Sequence, residues 1–271
     1  MLEKLVGNTP LIRLKNNPSG SIKDRIVKEI LEDAEAQGLV EKGDTIIEAT
    51  SGNTGISLAT FCASKGYKAK IVMPKNVTEE RKKILRLLGA EIIFTKSEYE
   101  AVEKAKKLAK KEGYFYLNQF GNPLNVKAHH KTGEEILKQL KGKVDVFIAG
   151  IGTGGTITGI AEKLKEFNPR AKIIGVEAVL HKEIDGLVNF SDSGFKLPLL
   201  RLELIDEIIK VSREDAIKMA KEIARKEGIL VGISSGATLL AALKKLREFN
   251  GKNVVVMFAD TGLRYLSILK D

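Results

Sequence analysis

Three short stretches concentrate the residues able to bind an anion or carry a reactive amine. The run GIGTGGT at 150–156 packs glycines and hydroxyls into one turn. Glycines leave backbone amide hydrogens unshielded, and a helix starting there adds partial positive charge, so the run is suited to cradle a phosphate. A glycine turn made only for close helix packing is the alternative. The run TSGNTG at 50–55 offers hydroxyls, an amide and backbone donors with no Lys or Arg among them. That set suits a carboxylate better than a second phosphate; plain helix capping by Ser51 or Thr54 is the alternative. The run NPSGSIKDR at 17–25 puts Lys23 in the first turn of a helix. A cation there works against the helix dipole, whereas the positive helix end and partial burial favour the neutral amine that Schiff-base chemistry needs. Solvent exposure is the ordinary fate of a lone lysine.

Gly150, Gly152 and Gly155 also satisfy the dinucleotide pattern G-x-G-x-x-G, and Glu177 closes the next strand where a ribose-binding acid would stand. A nicotinamide-dependent oxidoreductase is therefore a competing reading. Against it stand the late position of this strand-helix-strand unit and the two motifs that it leaves without a task. His129, His130 and His181 lack metal-ligand spacing with partner acids, which points to packing rather than to a metal. Cys62, the only cysteine, lies among apolar neighbours in a helical run, so no internal disulfide forms and a buried packing role is expected.

The elements that must position these residues follow from the hydrophobic pattern. Runs rich in Ile and Val at 45–49, 70–73, 91–95, 144–149, 172–176, 207–211 and 253–258 predict buried parallel strands. Stretches of helical period at 78–88, 98–111, 126–140, 156–167, 213–226 and 236–248 predict helices between them, and the alternation signals an α/β fold. The helix opened by Lys23 has Ile22, Ile26, Val27, Ile30 and Leu31 as its inner face, and Ser212 with Asp215 reads as a capping box. The stretch 114–125 breaks the alternation with Gly, Pro and Asn and reads as a crossing between two lobes; 179–204 reads as a long surface excursion. Domain-size arguments set a small lobe at roughly 13–117 and a large lobe of roughly 1–12 plus 118–271.

At 271 residues, 43% hydrophobic and 30% charged, the chain can bury a full core, and disorder is excluded. The net charge of +10 raises the question of nucleic acid. Its lysines and arginines fall on solvent faces of helices, mixed with Glu and without interleaved aromatic rings, so a nucleic-acid surface is not expected. The longest apolar run, 254–259, is far short of the roughly 18 residues of a membrane helix. Residues 1–11 have no signal-peptide pattern, and a cytoplasmic location is expected.

Taken in order, the motifs resemble the cysteine synthase family, pyridoxal-phosphate enzymes of fold type II that include cystathionine β-synthase. The resemblance runs through VGNTPL at 6–11, SIKDR at 21–25, TSGNTG at 50–55, NQF at 118–120, GIGTGGT at 150–156 and TGLRYLS at 261–267. It implies two three-layer αβα lobes with mostly parallel sheets, like the tryptophan synthase β chain, with the cofactor in the cleft between them. It also implies that Lys23 forms the Schiff base and acts as base on the α-proton. Gly152, Thr153, Gly154, Gly155 and Thr156 would hold the cofactor phosphate, Asn53 the ring hydroxyl, and Thr261 would face the pyridine nitrogen. Thr50, Ser51, Gly52, Thr54 and Gln119 would receive the substrate carboxylate, with the small lobe closing over it. The implied reaction is β-replacement, cysteine from O-acetylserine or another O-activated serine and sulfide, with release of acetate. Cystathionine β-synthase-like or serine β-elimination activity, and a catalytically silent scaffold, are the alternatives. A homodimer and a serine acetyltransferase tail as partner are further implications. Two departures bear on substrate choice: only Lys15 and Asn16 separate LIRL at 11–14 from the lysine motif, and the loop holding His181, Lys182 and Gly186 is shortened.

Overall fold

The computed structural model describes residues 17–270. The VGNTPL motif and the short connection after Arg13 lie outside the described residues. The chain divides into two compact units, one holding residues 17–124 and 264–270, the other 125–263. The sequence places the small lobe at roughly 13–117; in the structure residues 118–124 and the segment 264–270 also belong to that unit.

In the small unit, α1 (Lys23–Ala36) precedes β1 (Thr45–Ala49), α2 (Asn53–Lys65), β2 (Lys68–Pro74), α3 (Glu79–Leu87), β3 (Glu91–Thr95), α4 (Glu98–Leu108) and β4 (Tyr114–Tyr116). The sheet is parallel in the order β3-β2-β1-β4. All five residues of β1 are buried, as expected of a strand covered on both faces. Alternation sorts them: Ile46 joins Ile26, Ile30, Ile56, Leu58 and Leu85 of α1, α2 and α3 in one core layer, while Ile47 and Ala49 meet Ala101 and Ala105 of α4 in the other. This is a three-layer αβα unit. The expected crossing at 114–125 begins with β4, a strand too short and too aromatic to stand out from the loop signals that follow it.

The large unit carries α5 (Leu124–Gln139), β5 (Val146–Gly150), α6 (Gly155–Phe167), β6 (Lys172–Ala178), β7 (Glu207–Val211), α7 (Arg213–Glu227), α8 (Ile233–Lys244) and β8 (Val254–Val256). Its parallel sheet has the order β7-β6-β5-β8, a repeat of the first topology. Ser212 caps α7 by accepting from the Asp215 N–H at 3.2 Å, and its hydroxyl donates to the Asp215 carboxylate at 2.8 Å. The reciprocal half of a capping box is thus replaced by a side-chain pair. The stretch 179–204 is more than a surface excursion. Ile184, Leu187 and Leu199 are buried, and the segment packs on the glycine run after β5, where Leu187, the Gly186 carbonyl and Leu200 lie against Gly150, Gly152 and Gly154.

In both sheets the strand order turns back beside the central strand, so the chains leaving β1 and β4, and those leaving β5 and β8, emerge side by side at the carboxyl edge. Ligands of open α/β sheets bind at such places. Glu48 of β1 stands beneath the first of them, fully buried. Its two carboxyl oxygens accept from the backbone N–H groups of Ala49 at 3.1 Å and Gln119 at 3.2 Å. Burial outweighs these bonds and pushes the group up to about 8 from an ordinary 4.5.

Two predictions follow from packing and burial. A Cβ on Gly236 of α8 would sit 2.3 Å from the Ala216 carbonyl oxygen and 2.9 Å from the Ala220 nitrogen of α7, both rigid backbone. Gly236→Ala should therefore destabilise the chain by about 1–3 kcal/mol, read as a lower thermal midpoint. For Glu48 the folded state binds the proton more tightly than the unfolded state. Its contribution is complete below the unfolded value of 4.5 and is lost as pH rises through about 8. Glu48→Gln should flatten the corresponding decline in melting temperature between about pH 5 and pH 9.

Candidate active site

At the carboxyl end of β1, the Thr50 N–H still donates to the Val72 carbonyl at 3.0 Å, after which the chain turns into α2. Gly52 is the N-cap of α2 and no side chain caps it, so neither Ser51 nor Thr54 takes the plain capping role. The Thr50 hydroxyl accepts from the Gly52 N–H at 3.1 Å, and the Ser51 hydroxyl donates to the Glu98 carboxylate at 2.9 Å. Thr54 is buried, and its hydroxyl donates to Oε1 of the buried Gln119 at 2.5 Å. That bond orients the Gln119 amide nitrogen away from Thr54 as a donor. Gly55 faces Thr50 Cγ2 and Ile71 Cγ2, which a Cβ would approach to 3.1 and 3.2 Å.

Lys23 and Asn53 are the first residues of α1 and α2, both helices without a side-chain cap. Lys23 is half-buried, and its N–H donates to the Ser21 hydroxyl at 3.2 Å. The neighbouring Asp24 is buried and accepts from the Ser19 N–H at 2.8 Å and from the hydroxyls of Ser19 and Ser57. Asp24 thus supplies the acid that a helix start favours, offsetting the lysine before it, and ties α1 to α2. Oδ1 of Asn53 accepts from the guanidinium of Arg264.

In the large unit the glycine run leads from β5 into α6. Gly154 is the N-cap, left-handed at φ 88°, with no side-chain cap and no acid in the first turn of the helix. The loop is pressed against its surroundings. A Cβ on Gly152 would come within 2.6 Å of the Gly186 carbonyl oxygen, one on Gly154 within 2.8 Å of Leu200, and one on Gly155 within 2.1 Å of Asn125. The flanking hydroxyls belong to Thr153 and Thr156. Thr153 Oγ1 accepts from Asn125 Nδ2 at 3.0 Å and from the Gly155 N–H at 3.3 Å, while Thr156 Oγ1 lies 3.0 Å from His129 Nε2. A helix start without cap or acid, flanked by two held hydroxyls, fits the dianionic phosphate of pyridoxal phosphate. Thr261, beyond β8, pairs with Val231 in a single bridge, and its hydroxyl accepts from the Leu263 N–H at 3.3 Å.

Glu177 does not offer itself to a ribose. It is fully buried and accepts from the N–H groups of Phe190 and Ser191, at 3.1 and 3.3 Å, and from the Ser191 hydroxyl. His129 is buried between Thr132 and Thr156, whereas His130 pairs with Glu162. Burial pushes the Cys62 thiol up to about 12, so it stays protonated and inert. Sequence reasoning missed Asp24, Glu48, Asn125 and Arg264. Asn125 stands at the end of the stretch read as a crossing, outside the helix predicted from 126, and Arg264 lies inside a motif in which only Thr261 has a task.

A family model described as pyridoxal-phosphate dependent enzyme matches residues 2–260. A cysteine synthase of Staphylococcus aureus is 40% identical over 294 residues, covering 98% of this chain and 95% of its own length. Among solved structures, a hydrogen sulfide-producing enzyme from Fusobacterium nucleatum is 42% identical with a TM-score of 0.87, covering 98% of this chain and 99% of its own. A cysteine synthase from Entamoeba histolytica is 41% identical with a TM-score of 0.84, covering 94% and 80%. Matched over nearly its whole length by such relatives, and carrying a glycine-threonine helix start fit for the cofactor phosphate, the chain belongs to the cysteine synthase family of pyridoxal-phosphate-dependent enzymes.

Proposed function

We propose that this enzyme catalyses β-replacement, converting O-acetylserine, or another O-activated serine, and sulfide into cysteine and the released acid, acetate in the first case. The observation that carries this reading is the Thr54–Gln119 bond at the carboxyl edge of the small sheet. It presents an amide donor beside an uncapped helix start, as an amino-acid carboxylate requires. Bound pyridoxal phosphate supplies the electron sink that makes the α-proton of the amino acid acidic. Gly152, Thr153, Gly154, Gly155 and Thr156 would hold its phosphate, Asn53 its ring oxygen and Thr261 its ring nitrogen. A neutral hydroxyl at the nitrogen stabilises positive charge less than a carboxylate would, which tempers the sink and favours loss of a β-substituent. Lys23 would hold the cofactor through Nζ, and the same Nζ would serve as the base that takes the α-proton of the substrate. Thr50, Ser51, Gly52, Thr54 and Gln119 would hold the substrate carboxylate and so restrict the orientation of the amino acid. The same reading assigns the enzyme to the cytosol, as a homodimer able to receive a serine acetyltransferase tail.

A second reading, elimination in which sulfide is product rather than substrate, is favoured by one observation. This chain and the hydrogen sulfide-producing enzyme of Fusobacterium nucleatum cover each other almost completely. Cysteine formation from O-acetylserine and sulfide, assayed against sulfide release from cysteine, separates the two.

The purified enzyme should be yellow, with a visible band that borohydride bleaches. Lys23→Ala should remove the band and lower turnover by at least about 10²–10⁴-fold, the usual share of a general base; a colourless chain that takes up no cofactor overturns the assignment. Gln119→Ala should leave the band intact and raise KM for the amino acid by about 10–100-fold, the value of a hydrogen bond to a charged group. An unchanged KM would remove Gln119 from the carboxylate site.

A further inference from the structure

The motif at 261–267 contains a buried cation that the reaction above does not use. Arg264 is 2% exposed. One arm of its guanidinium donates to Oδ1 of Asn53; the other donates to the Ser19 carbonyl and approaches the Ser19 hydroxyl at 3.5 Å. Ser19 in turn donates to Asp24, which also holds Ser57. Arg264 therefore sits at the starts of both α1 and α2, the helices that Lys23 and Asn53 open.

Stability alone does not account for this placement. A cation at the positive ends of two helices is electrostatically unfavourable, and burying it adds a desolvation cost that Asp24 offsets through Ser19. What the guanidinium supplies is direction. It can only donate, so the amide of Asn53 must present Oδ1 to it and turn Nδ2 the other way. An asparagine free to rotate would offer a ring oxygen either end of its amide; this one offers a donor.

We propose that Arg264 is a positioning residue for the cofactor: it fixes the Asn53 amide so that Nδ2 donates to the ring oxygen of pyridoxal phosphate, and it holds the Ser19 turn that leads into Lys23. This rests on the assignment of Asn53 to the ring oxygen made above. The donor stabilises negative charge on that oxygen and so sets the balance between the cofactor's long-wavelength and short-wavelength absorption bands.

The test uses the enzyme stripped of cofactor and titrated with pyridoxal phosphate, comparing the wild type with Arg264→Met, Arg264→Lys, Asn53→Ala, Asn53→Asp and the Arg264→Met/Asn53→Ala double variant. Arg264→Met should weaken cofactor binding about 10–100-fold, shift the band ratio towards short wavelength, and add little to Asn53→Ala in the double variant. Arg264→Lys, which donates to one partner at a time, should recover part of both readouts. Asn53→Asp keeps a partner for Arg264, so it should melt no lower than wild type while losing affinity, because an acceptor then faces the ring oxygen. That variant decides the matter even if Arg264→Met does not fold. Wild-type affinity and band ratio in Arg264→Met, additive losses in the double variant, or full affinity in Asn53→Asp would each overturn the proposal. A wild-type chain that takes up no pyridoxal phosphate would overturn the assignment of the cofactor site first, and this proposal with it.

Discussion

Two parallel strands side by side, with their chains leaving the same sheet edge, are the constraint on which the rest of this structure depends. Edge amides at such a place have no ladder partner, and the turns that follow must begin helices or loops close together. Both sheets use the arrangement. In the small unit β1 delivers TSGNTG and β4 delivers Gln119; in the large unit β5 delivers the glycine run and β8 the segment ending at Thr261. The same topology thus carries the proposed carboxylate site in one unit and the proposed phosphate site in the other. The difference lies in the residues: an amide oriented by Thr54 in the first, and three closely pressed glycines with Thr153 and Thr156 in the second.

Buried polar groups tie these loops to the scaffold. Glu48 joins the end of β1 to the backbone of Gln119, Asp24 joins the starts of α1 and α2, and Asn125 and His129 hold the two threonines of the glycine run. Each replaces water around a group that a packed core would otherwise leave unpaired, at a cost in desolvation. They stand behind residues assigned to a ligand, so the price of burial falls where orientation matters most.

The sequence made much of this legible, for identifiable reasons. Strands 45–49, 91–95 and 207–211 coincide with those observed, because each carries an Ile-Ile pair in a short run between helical stretches, although only 45–49 is buried throughout and the edge strands 91–95 and 207–211 are mostly half-buried. The glycine run after β5 declared itself because amides, hydroxyls and a helix start coincide in seven residues. Less legible were features made by distant parts of the chain. Nothing near Arg264 announces that it will meet Asn53 and Ser19, and nothing in 179–204 shows that Leu200 and the Gly186 carbonyl will close on the loop at 152–154. β4 escaped because three residues are too few for a period, and Glu48 because a carboxylate inside a buried strand is invisible to an apolar pattern.

The segment 264–270 belongs to the small unit, with Tyr265 buried beneath the Arg81 guanidinium at 4.8 Å and Ser267 held by Glu80. On the ribosome, residues 125–263 must be made before this segment appears. At synthesis rates of about 5–20 residues per second the interval is roughly 7–28 seconds. Throughout it Arg81 of the nascent small unit has no ring to cover, and the turn before Lys23, held by Asp24, lacks its further tether to Arg264. The two units are therefore not independent in biosynthesis, and a fragment cut after residue 124 would lack part of its own interior.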